Sequence, residues 1–175
     1  RFYGSIGGRR LGSVSAAACS TAACPVAVVH RYDESDVGKP VLLGIDGSPA
    51  SERATAIAFD EASRRHVGVI AVHAWSDVGV FPLLGMDWRT YRDEAEEVLA
   101  ERLAGWQERY PDVGVDRRVY CDVPAHHLER EARHAGLVVL GSHGRGRVAT
   151  LLLGSVATAV AENVDVPVVI ARTNE

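Results

Sequence analysis

Short apolar runs alternate with longer amphipathic segments along most of this chain. The runs at residues 41–45, 67–74 and 137–141 are almost continuously apolar, which indicates strands that are buried on both faces of a sheet. The run at 113–120 alternates apolar with polar residues and therefore predicts a strand at the edge of the sheet. A final apolar run at 166–171 predicts a fifth strand.

Helical patterns fill the segments between the predicted strands. The first helix opens at Ser48–Pro49, which pairs a favoured N-cap residue with a favoured first helical residue. A long helix is predicted over 88–110, where Trp, Tyr and Leu recur at helical spacing. Shorter helices are predicted over 124–136, which a proline opens and a glycine ends, and over 151–163. This alternation predicts an α/β fold with a five-stranded parallel sheet and helices on both faces.

An internal repeat relates the two ends of the chain. Residues 12–29 and 154–171 align without gaps at an offset of 142, with six of eighteen positions identical, including an opening Gly-Ser-Val and a later Pro-Val. We therefore expect residues 1–31 to be the last helix and strand of a preceding unit, followed by a polar linker at 32–40 and one complete unit at 41–172. The chain does not begin with Met, so we also expect it to be a fragment of a longer protein.

Composition and charge narrow the functional classes. The 175 residues carry 19 Lys and Arg against 23 Asp and Glu, and the net charge of −4 argues against binding nucleic acid through a basic face. No apolar run in the sequence approaches the roughly 18 residues that a membrane-spanning helix needs. Three cysteines, an odd number, argue against a disulfide framework and predict a reducing, cytoplasmic location.

The strongest candidate for a binding element follows the fourth predicted strand. Gly141, Gly144, Gly154 and Ser155 form a G-x-x-G-x9-G-S pattern that leads into the last helix. A glycine loop can turn backbone N–H groups inward around an anion, and a helix start favours anions through its unpaired N–H groups and its dipole. The pattern therefore favours phosphate binding. The alternative is that the glycines serve turn geometry and close helix packing.

Residues after the first and second strands lie at the same predicted edge, because the carboxyl ends of parallel strands meet there. Asp46 could contact a ribose hydroxyl or a metal ion, or could instead cap the turn that follows it. The backbone of Ala74 could contact an adenine edge, and Asp77 is either a ribose-binding acid or a solvated loop residue. Neither a P-loop nor the dinucleotide fingerprint follows strand one in the sequence.

Together these elements resemble the universal stress protein family over residues 41–172. The resemblance rests on the strings IDGS after strand one, HAWS after strand two, GSHGRG after strand four and LLLGSV at the last helix. It implies a Rossmann-like α/β unit of the tandem-domain type that binds ATP, with Mg²⁺ entering on the triphosphate. The candidate nucleotide-binding residues are Gly44, Ile45, Asp46, Ala74, Asp77, Gly141, Ser142, His143, Gly144, Arg145, Gly146, Gly154, Ser155 and Val156.

The chain departs from the family pattern in two places. Family members often have Gly-x-Pro after the third strand, whereas this chain has Asp122-Val123-Pro124, which puts an extra carboxylate near the site. At the offset of 142, Phe2 stands where the preceding unit would need its second loop glycine. We therefore expect no complete nucleotide site in that unit.

The resemblance implies a role in stress response or regulation through nucleotide occupancy rather than fast catalysis. No residue is an obvious base for an attacking water and no Walker lysine is present, so at most slow ATP hydrolysis is expected. The alternatives are a nucleotide-dependent enzyme of related α/β architecture and an interaction module that binds no nucleotide. No metal site is predicted, because adjacent His126 and His127 would point about 100° apart on a helix.

The resemblance also predicts how one edge of the sheet is covered. In this family the fifth strand commonly pairs antiparallel with its counterpart in a partner unit. We therefore expect Val26–His30 to pair antiparallel with Val168–Arg172, either within one chain or across a homodimer. The helix and strand at the start of the chain would then add a sixth strand at the sheet edge.

Overall fold

A computed structural model describes residues 10–31, 33–75, 88–121, 123–144 and 153–172. Helices and strands alternate through these ranges as the hydrophobic pattern predicts. No helix in this part of the chain is both long and apolar enough to cross a membrane. The elements, in chain order, are α1 (Ser13–Thr21), β1 (Val26–Val28), a 3₁₀ turn (Glu34–Asp36), β2 (Val41–Ile45), α2 (Pro49–Arg65), β3 (Val69–Trp75), α3 (Trp88–Arg109), β4 (Val115–Cys121), α4 (Pro124–Ala132), β5 (Leu137–Gly141), α5 (Ser155–Asn163) and β6 (Val168–Ala171).

One six-stranded sheet forms the centre of the fold, with the strand order β1-β6-β5-β2-β3-β4. All neighbouring strands are parallel except β1, which runs antiparallel to β6 within the same chain. In this pair Val26 lies opposite Ile170 and Ala27 lies opposite Val169. The predicted α/β sheet and its antiparallel edge strand are therefore confirmed. β4, whose sequence alternates, lies at the other edge as predicted.

The sheet is buried on both faces, because alternate side chains of its central strands point to opposite sides. Leu42 of β2 belongs to a core that also holds residues of α1, α4 and α5. Leu43, its neighbour, belongs to a second core that is shared with α2 and α3. There Phe59 of α2 is fully buried, with its ring 5.8 Å from that of Trp106. The large side chains predicted at helical spacing on the long helix pack inward where they are described.

The residues at the ends of α2 explain why a helix forms directly after β2. Ser48 is its N-cap, and the serine Oγ accepts a hydrogen bond from the N–H of Ser51 at 3.2 Å. Pro49 fills the first helical position, as predicted. At the other end His66 takes a left-handed backbone with φ of +54°, and its N–H bonds to carbonyls of the last turn. The start of α2 is thereby fixed beside the carboxyl edge of the sheet.

Two predicted helix boundaries are wrong. The helix predicted over 151–163 begins one residue after Gly154, because Gly154 has the extended backbone of an N-cap. The helix predicted over 124–136 ends four residues before Gly136, and this glycine does not cap it. A Cβ atom at Gly136 would clash with the carbonyl oxygen of Asp36, so the glycine serves close backbone packing instead.

The sequence repeat is also a repeat of conformation. α1 and α5 both have nine residues, and the offset of 142 relates their bounds at both ends. Each helix follows an N-cap glycine with φ of −59°, which is Gly12 for α1 and Gly154 for α5. β1 and β6 then start at equivalent positions. The two ends of the chain therefore have the same local fold, and they meet along one pair of strands.

Candidate functional site

The described candidate residues from Gly44 to Gly144 lie at the carboxyl ends of three neighbouring strands. β2 ends at Ile45 and is followed by Asp46, β3 has Ala74 next to its last residue, and β5 ends at Gly141. These strands are adjacent in the order β5-β2-β3. The chain leaves β2 toward β3 on one side and later reaches β5 on the other, so the strand order switches between β2 and β5. Open α/β sheets bind ligands at such a switch point.

Asp77, Arg145 and Gly146 lie outside the described residues, and so does Asp122. What the sequence predicts for these four residues remains a prediction. The loop after β5 is described up to Gly144, and the description resumes just before the start of α5.

Three of the candidates have side chains that pack inward. Ile45 is buried, and its carbonyl oxygen is 2.7 Å from Nδ1 of His73, which places a ring proton on that nitrogen. Ala74 and Val156 pack against the core that α1, α4 and α5 share. These three residues can therefore offer a ligand only backbone atoms.

One oxygen of Asp46 caps a turn, and the other faces the glycine loop. Oδ1 accepts a hydrogen bond from the N–H of Ser48 at 2.9 Å, which is the capping role that the sequence left open. Oδ2 lies close to Gly144, since a Cβ atom at that glycine would be only 2.7 Å from it. The structure thus brings together two candidates that follow different strands.

Two buried serines at the start of α2 join these loops, although the sequence predicted no site role for them. Ser48 donates a hydrogen bond from Oγ to the carbonyl of His143 at 3.1 Å. The Oγ of Ser51 accepts from the N–H groups of Asp46 and Gly47, at 3.4 and 3.3 Å. The sequence indicates only that Ser48 suits an N-cap. No local sequence pattern could predict its hydrogen bond to the loop after β5.

The loop after β5 and the start of α5 are joined by a backbone contact. The N–H of Gly154 donates to the carbonyl of Ser142 at 2.8 Å, and a Cβ atom at Gly154 would lie 3.1 Å from the same oxygen. Ser142 is buried, with its Oγ 3.1 Å from Nδ1 of His143. Because Gly154 is the N-cap, the first N–H groups of α5, beginning with Ser155, have no acceptor within the helix. Backbone donors therefore gather at this junction.

Two other candidate glycines have a packing role. A Cβ atom at Gly141 would lie 2.9 Å from backbone atoms of Ala50 and Ser51 in α2. A Cβ atom at Gly44 would lie 2.5 Å from the side chain of Leu140. For these two positions the structure supports the alternative of close packing.

A cation from α3 reaches the same edge of the sheet. Gly47 turns the chain after β2 with φ of +78°, a conformation that favours glycine. The Arg102 guanidinium covers this turn, 2.8 Å from the position of a Cβ atom at Gly47, and its Nη1 is 3.4 Å from Oε1 of Glu52. The sequence predicted no role for Arg102, because an arginine on a helix surface carries no signal of the loop that it covers.

A buried carboxylate joins α4 to the edge strand β4. Glu131 is 4% exposed, and its side chain accepts hydrogen bonds from Tyr120 Oη at 2.9 Å and from Arg118. Arg130 Nη2 also lies 3.2 Å from Oε1. Burial raises the pKa of Glu131, but the hydrogen bond from Tyr120 and the two arginine charges outweigh it and hold that pKa below its usual value.

Glu131→Gln is expected to lower the free energy of unfolding near neutral pH by about 1–2 kcal/mol, because the cationic partners lose their carboxylate. The folded-state pKa is depressed, so the carboxylate stabilises the fold above about pH 4.5 and this stabilisation is lost as pH falls through the folded-state pKa. In urea unfolding the difference in free energy of unfolding between the variant and the wild type should therefore narrow as the pH falls below about 4.5. Glu108→Gln, at an exposed position of α3, is the control. If the difference in free energy of unfolding between Glu131→Gln and the wild type did not change with pH, the lowered pKa of Glu131 would be contradicted.

Known proteins are similar to this chain in sequence and in fold. A family model described as "Universal stress protein family" matches residues 38–172. The universal stress protein Rv2005c of Mycobacterium tuberculosis is 59% identical over 165 residues, which cover 93% of this chain and 56% of that protein. The chain thus spans about half the length of that relative.

Two solved structures are similar to the fold. The universal stress protein UspA from Lactobacillus plantarum matches with a TM-score of 0.66 at 19% identity, covering 77% of this chain and 98% of that chain. A universal stress protein in complex with cAMP matches with a TM-score of 0.55 at 25% identity, covering 79% of this chain and 99% of that chain. The first supports the fold alone, and the second links a similar protein to a nucleotide.

Proposed function

Because the chain belongs to the universal stress protein family, we propose that it binds ATP at the carboxyl edge of its sheet and acts in stress response or regulation through occupancy of that site. The observation that carries the proposal is the junction at Gly154, whose N–H meets the carbonyl of Ser142 with little space for a side chain. A glycine-lined backbone at a helix start suits a phosphate group. The similar protein in complex with cAMP supports a nucleotide as the ligand class.

We expect described residues to bind both ends of a nucleotide. The N–H groups of Ser155 and Val156, at the start of α5, would donate to phosphate oxygens. Oδ2 of Asp46 would accept from a ribose hydroxyl, since Oδ1 already holds the turn. The backbone of Ala74 would contact adenine. Mg²⁺ would be bound mainly by oxygens of the triphosphate.

We expect regulation to depend on whether the site holds a nucleotide rather than on hydrolysis of ATP. The sequence has no Walker lysine at the helix start, and the Oδ1 of Asp46 is engaged by the N–H of Ser48. Hydrolysis of ATP is therefore expected to be slow at most. A reducing, cytoplasmic location is part of this proposal, and Cys19 and Cys24 are free thiols.

Identification of bound nucleotide tests the proposal directly. The purified chain is heated, and the released small molecules are identified by liquid chromatography and mass spectrometry. Nucleotide-free protein is then titrated calorimetrically with ATP, AMP and cAMP. Release or binding of ATP supports the proposal. A chain that is empty and binds none of the three favours the interaction module, and rapid consumption of ATP favours an enzyme of related architecture.

Ser155→Ala is expected to weaken ATP binding by about 1–3 kcal/mol, because a hydroxyl at the helix start would lose its contact with a charged phosphate. Ser155 is exposed at the first position of α5, so its replacement should leave the fold unchanged. Calorimetric titration with ATP measures the loss. Ser13→Ala, at the equivalent position of α1, is the matched control. Equal affinity of both variants and the wild type would exclude a phosphate contact at this hydroxyl.

A further inference from the structure

Side-chain oxygens hold the turn that follows β2. The N–H of Ser48 donates to Oδ1 of Asp46 at 2.9 Å, an ordinary hydrogen-bond length. The N–H groups of Asp46 and Gly47 both donate to Oγ of Ser51, at 3.4 and 3.3 Å. These two bonds are longer than the usual N–H···O range of about 2.7–3.2 Å and are therefore weak. The conformation of the turn consequently depends on what packs against it from outside.

The guanidinium of Arg102 packs against this turn with its flat face. Its Cζ, Nη1 and Nη2 atoms all lie 2.8 Å from the position that a Cβ atom at Gly47 would take. An atom that approached the edge of the group within its plane would be nearer to a nitrogen than to Cζ, so equal distances place this position above the plane. Gly47 therefore lacks a side chain for two reasons, because its φ of +78° favours glycine and because the guanidinium occupies the space.

The backbone that carries Arg102 is fixed by its neighbours in α3. Leu99, about one turn earlier, is 1% exposed, and Leu103, the next residue, is 0% exposed. Both belong to the core that α2 and α3 share. A planar guanidinium can cover a peptide group with its whole face, whereas the ammonium of a lysine is a compact charge on a flexible stem. We therefore expect arginine to hold the turn where lysine would not.

An ion pair orients the guanidinium. Nη1 of Arg102 lies 3.4 Å from Oε1 of Glu52, which is in the first turn of α2. The two side chains are 36% and 50% exposed, and an ion pair at such exposure contributes little to stability. Its effect is therefore geometric. It draws the guanidinium from α3 toward the start of α2, and the turn after β2 leads directly into that start.

The direction of the Asp46 side chain follows from the geometry of this turn. Because Oδ1 accepts from the N–H of Ser48, a movement of the turn also moves Oδ2. Oδ2 lies beside the loop after β5, only 2.7 Å from the position of a Cβ atom at Gly144. A displacement of about 1 Å can take an acceptor out of hydrogen-bond range. Support of the turn therefore determines whether Asp46 can meet a ligand.

We propose that Arg102 is a positioning residue of the nucleotide site, because its guanidinium holds the turn after β2 and so keeps Oδ2 of Asp46 directed at a ribose hydroxyl. Arg102 acts through Asp46 and does not itself contact the ligand. The inference rests on the proposed nucleotide binding and extends it in two ways. It assigns a residue of α3 to the site, and it makes the preference for a ligand with ribose hydroxyls depend on that residue.

Hydrogen exchange of the nucleotide-free chain, followed by NMR at single amides, tests the contact with the turn. In Arg102→Ala we expect the amides of residues 46–48 to exchange about fivefold faster, with those of β3 unchanged. Arg102→Lys should behave like Arg102→Ala, because lysine keeps the charge but not the plane. Arg92→Ala is the matched control, since Arg92 is in the same helix and pairs with Glu96 at the surface. Wild-type exchange in Arg102→Ala or in Arg102→Lys would overturn the proposal.

Titration with two nucleotides tests the effect on the site. Calorimetry compares ATP with 2′,3′-dideoxyATP, which lacks both ribose hydroxyls. We expect Arg102→Ala to weaken ATP binding about fivefold and to change dideoxyATP binding by less than about twofold. Arg92→Ala should bind both nucleotides as the wild type does. An equal loss for both nucleotides in Arg102→Ala would overturn the proposal, because the arginine would then not act through the ribose.

Replacement of the acceptor shows whether Arg102 acts through Asp46. Asp46→Asn can still accept the hydrogen bond from the N–H of Ser48, but its amide nitrogen cannot accept from a hydroxyl. In that background Arg102→Ala should cause no further loss of ATP affinity, and a further fivefold loss (about the full single-variant effect) would overturn the proposal. If the wild-type chain bound no nucleotide, the proposed function would fail, while hydrogen exchange would still decide whether Arg102 holds the turn.

Discussion

Gly154→Val is expected to weaken ATP binding at least a hundredfold, or by about 3 kcal/mol, without unfolding the chain. A Cβ atom at this position lies 3.1 Å from the carbonyl of Ser142 and 3.5 Å from Cα of His143. Valine adds two methyl groups beyond that atom, so the start of α5 has to move away from the loop after β5. The N–H groups of the first helical turn would then no longer point at the same place as the loop backbone. Calorimetric titration with ATP, beside circular dichroism of the free protein, measures both effects.

The repeat provides a matched control for this substitution. Gly12 is the N-cap of α1 and has the same φ of −59°, but a Cβ atom there meets nothing within 4 Å. Gly12→Val should therefore bind ATP as the wild type does. If Gly154→Val also bound ATP with wild-type affinity, the junction between loop and helix would not be the phosphate site. If both variants lost affinity, the effect would have to arise from the fold rather than from the site.

Gly141→Val is expected to lower the free energy of unfolding by about 3 kcal/mol or more. A Cβ atom at Gly141 would lie 2.9 Å from backbone atoms of Ala50 and Ser51. Backbone atoms cannot rotate away as the end of a flexible side chain can, so α2 has to shift from β5. Because Ser51 also holds the turn after β2 through two N–H groups, the shift would spread to the neighbouring strand end. Urea unfolding gives the change in free energy.

Gly105→Val is the control for the effect of valine itself. Gly105 is exposed in α3, and a Cβ atom there meets nothing within 4 Å. Its replacement should change stability by less than about 0.5 kcal/mol. A similarly small effect of Gly141→Val would mean that α2 and β5 can separate at little cost, and that this glycine is not required for packing.

Gly154→Val and Gly141→Val distinguish a glycine that is needed for ligand binding from a glycine that is needed for close packing. The spacing of the four motif residues predicts a turn and a helix start, but spacing does not specify what lies beside each glycine. Gly141 faces the backbone of another helix, whereas Gly144 faces the carboxylate of Asp46 and Gly154 faces the carbonyl of Ser142. Each of these neighbours lies in another part of the chain. The spacing of the glycines therefore could not predict which neighbour each glycine faces.

The fold itself was largely predictable, because buried positions recur in the sequence with the period of a strand or a helix. Continuous apolar runs indicate strands covered on both sides, and Leu42 and Leu43 of β2 do enter opposite cores. The alternating run at β4 indicates an edge, which is where that strand lies. Helix ends were less predictable, since Gly136 stands near a helix end without capping it. The sequence alone does not distinguish a glycine that is needed for close packing from a glycine that caps a helix.

Contacts from a side chain to a distant backbone atom were not predictable. Ser48 was expected as an N-cap, but its bond to the carbonyl of His143 was not. His30 and Arg172 bind carbonyls that lie 131 and 153 residues away along the chain, and such contacts have no periodicity. Glu131 lies on the buried side of α4, where its partners come from β4 as well as from its own helix. The family resemblance predicted the strand pairing but not the hydrogen bonds that accompany it.

The outer strand β4 disfavours the addition of a further strand at its edge of the sheet. It is the last strand on its side of the sheet, and Asp116 and Arg117 are exposed along it. A further strand that approached this edge would have to bring its own backbone against these charges. At the opposite side of the sheet β6 is already paired with β1. We therefore expect the sheet not to extend into a fibre through its β4 edge.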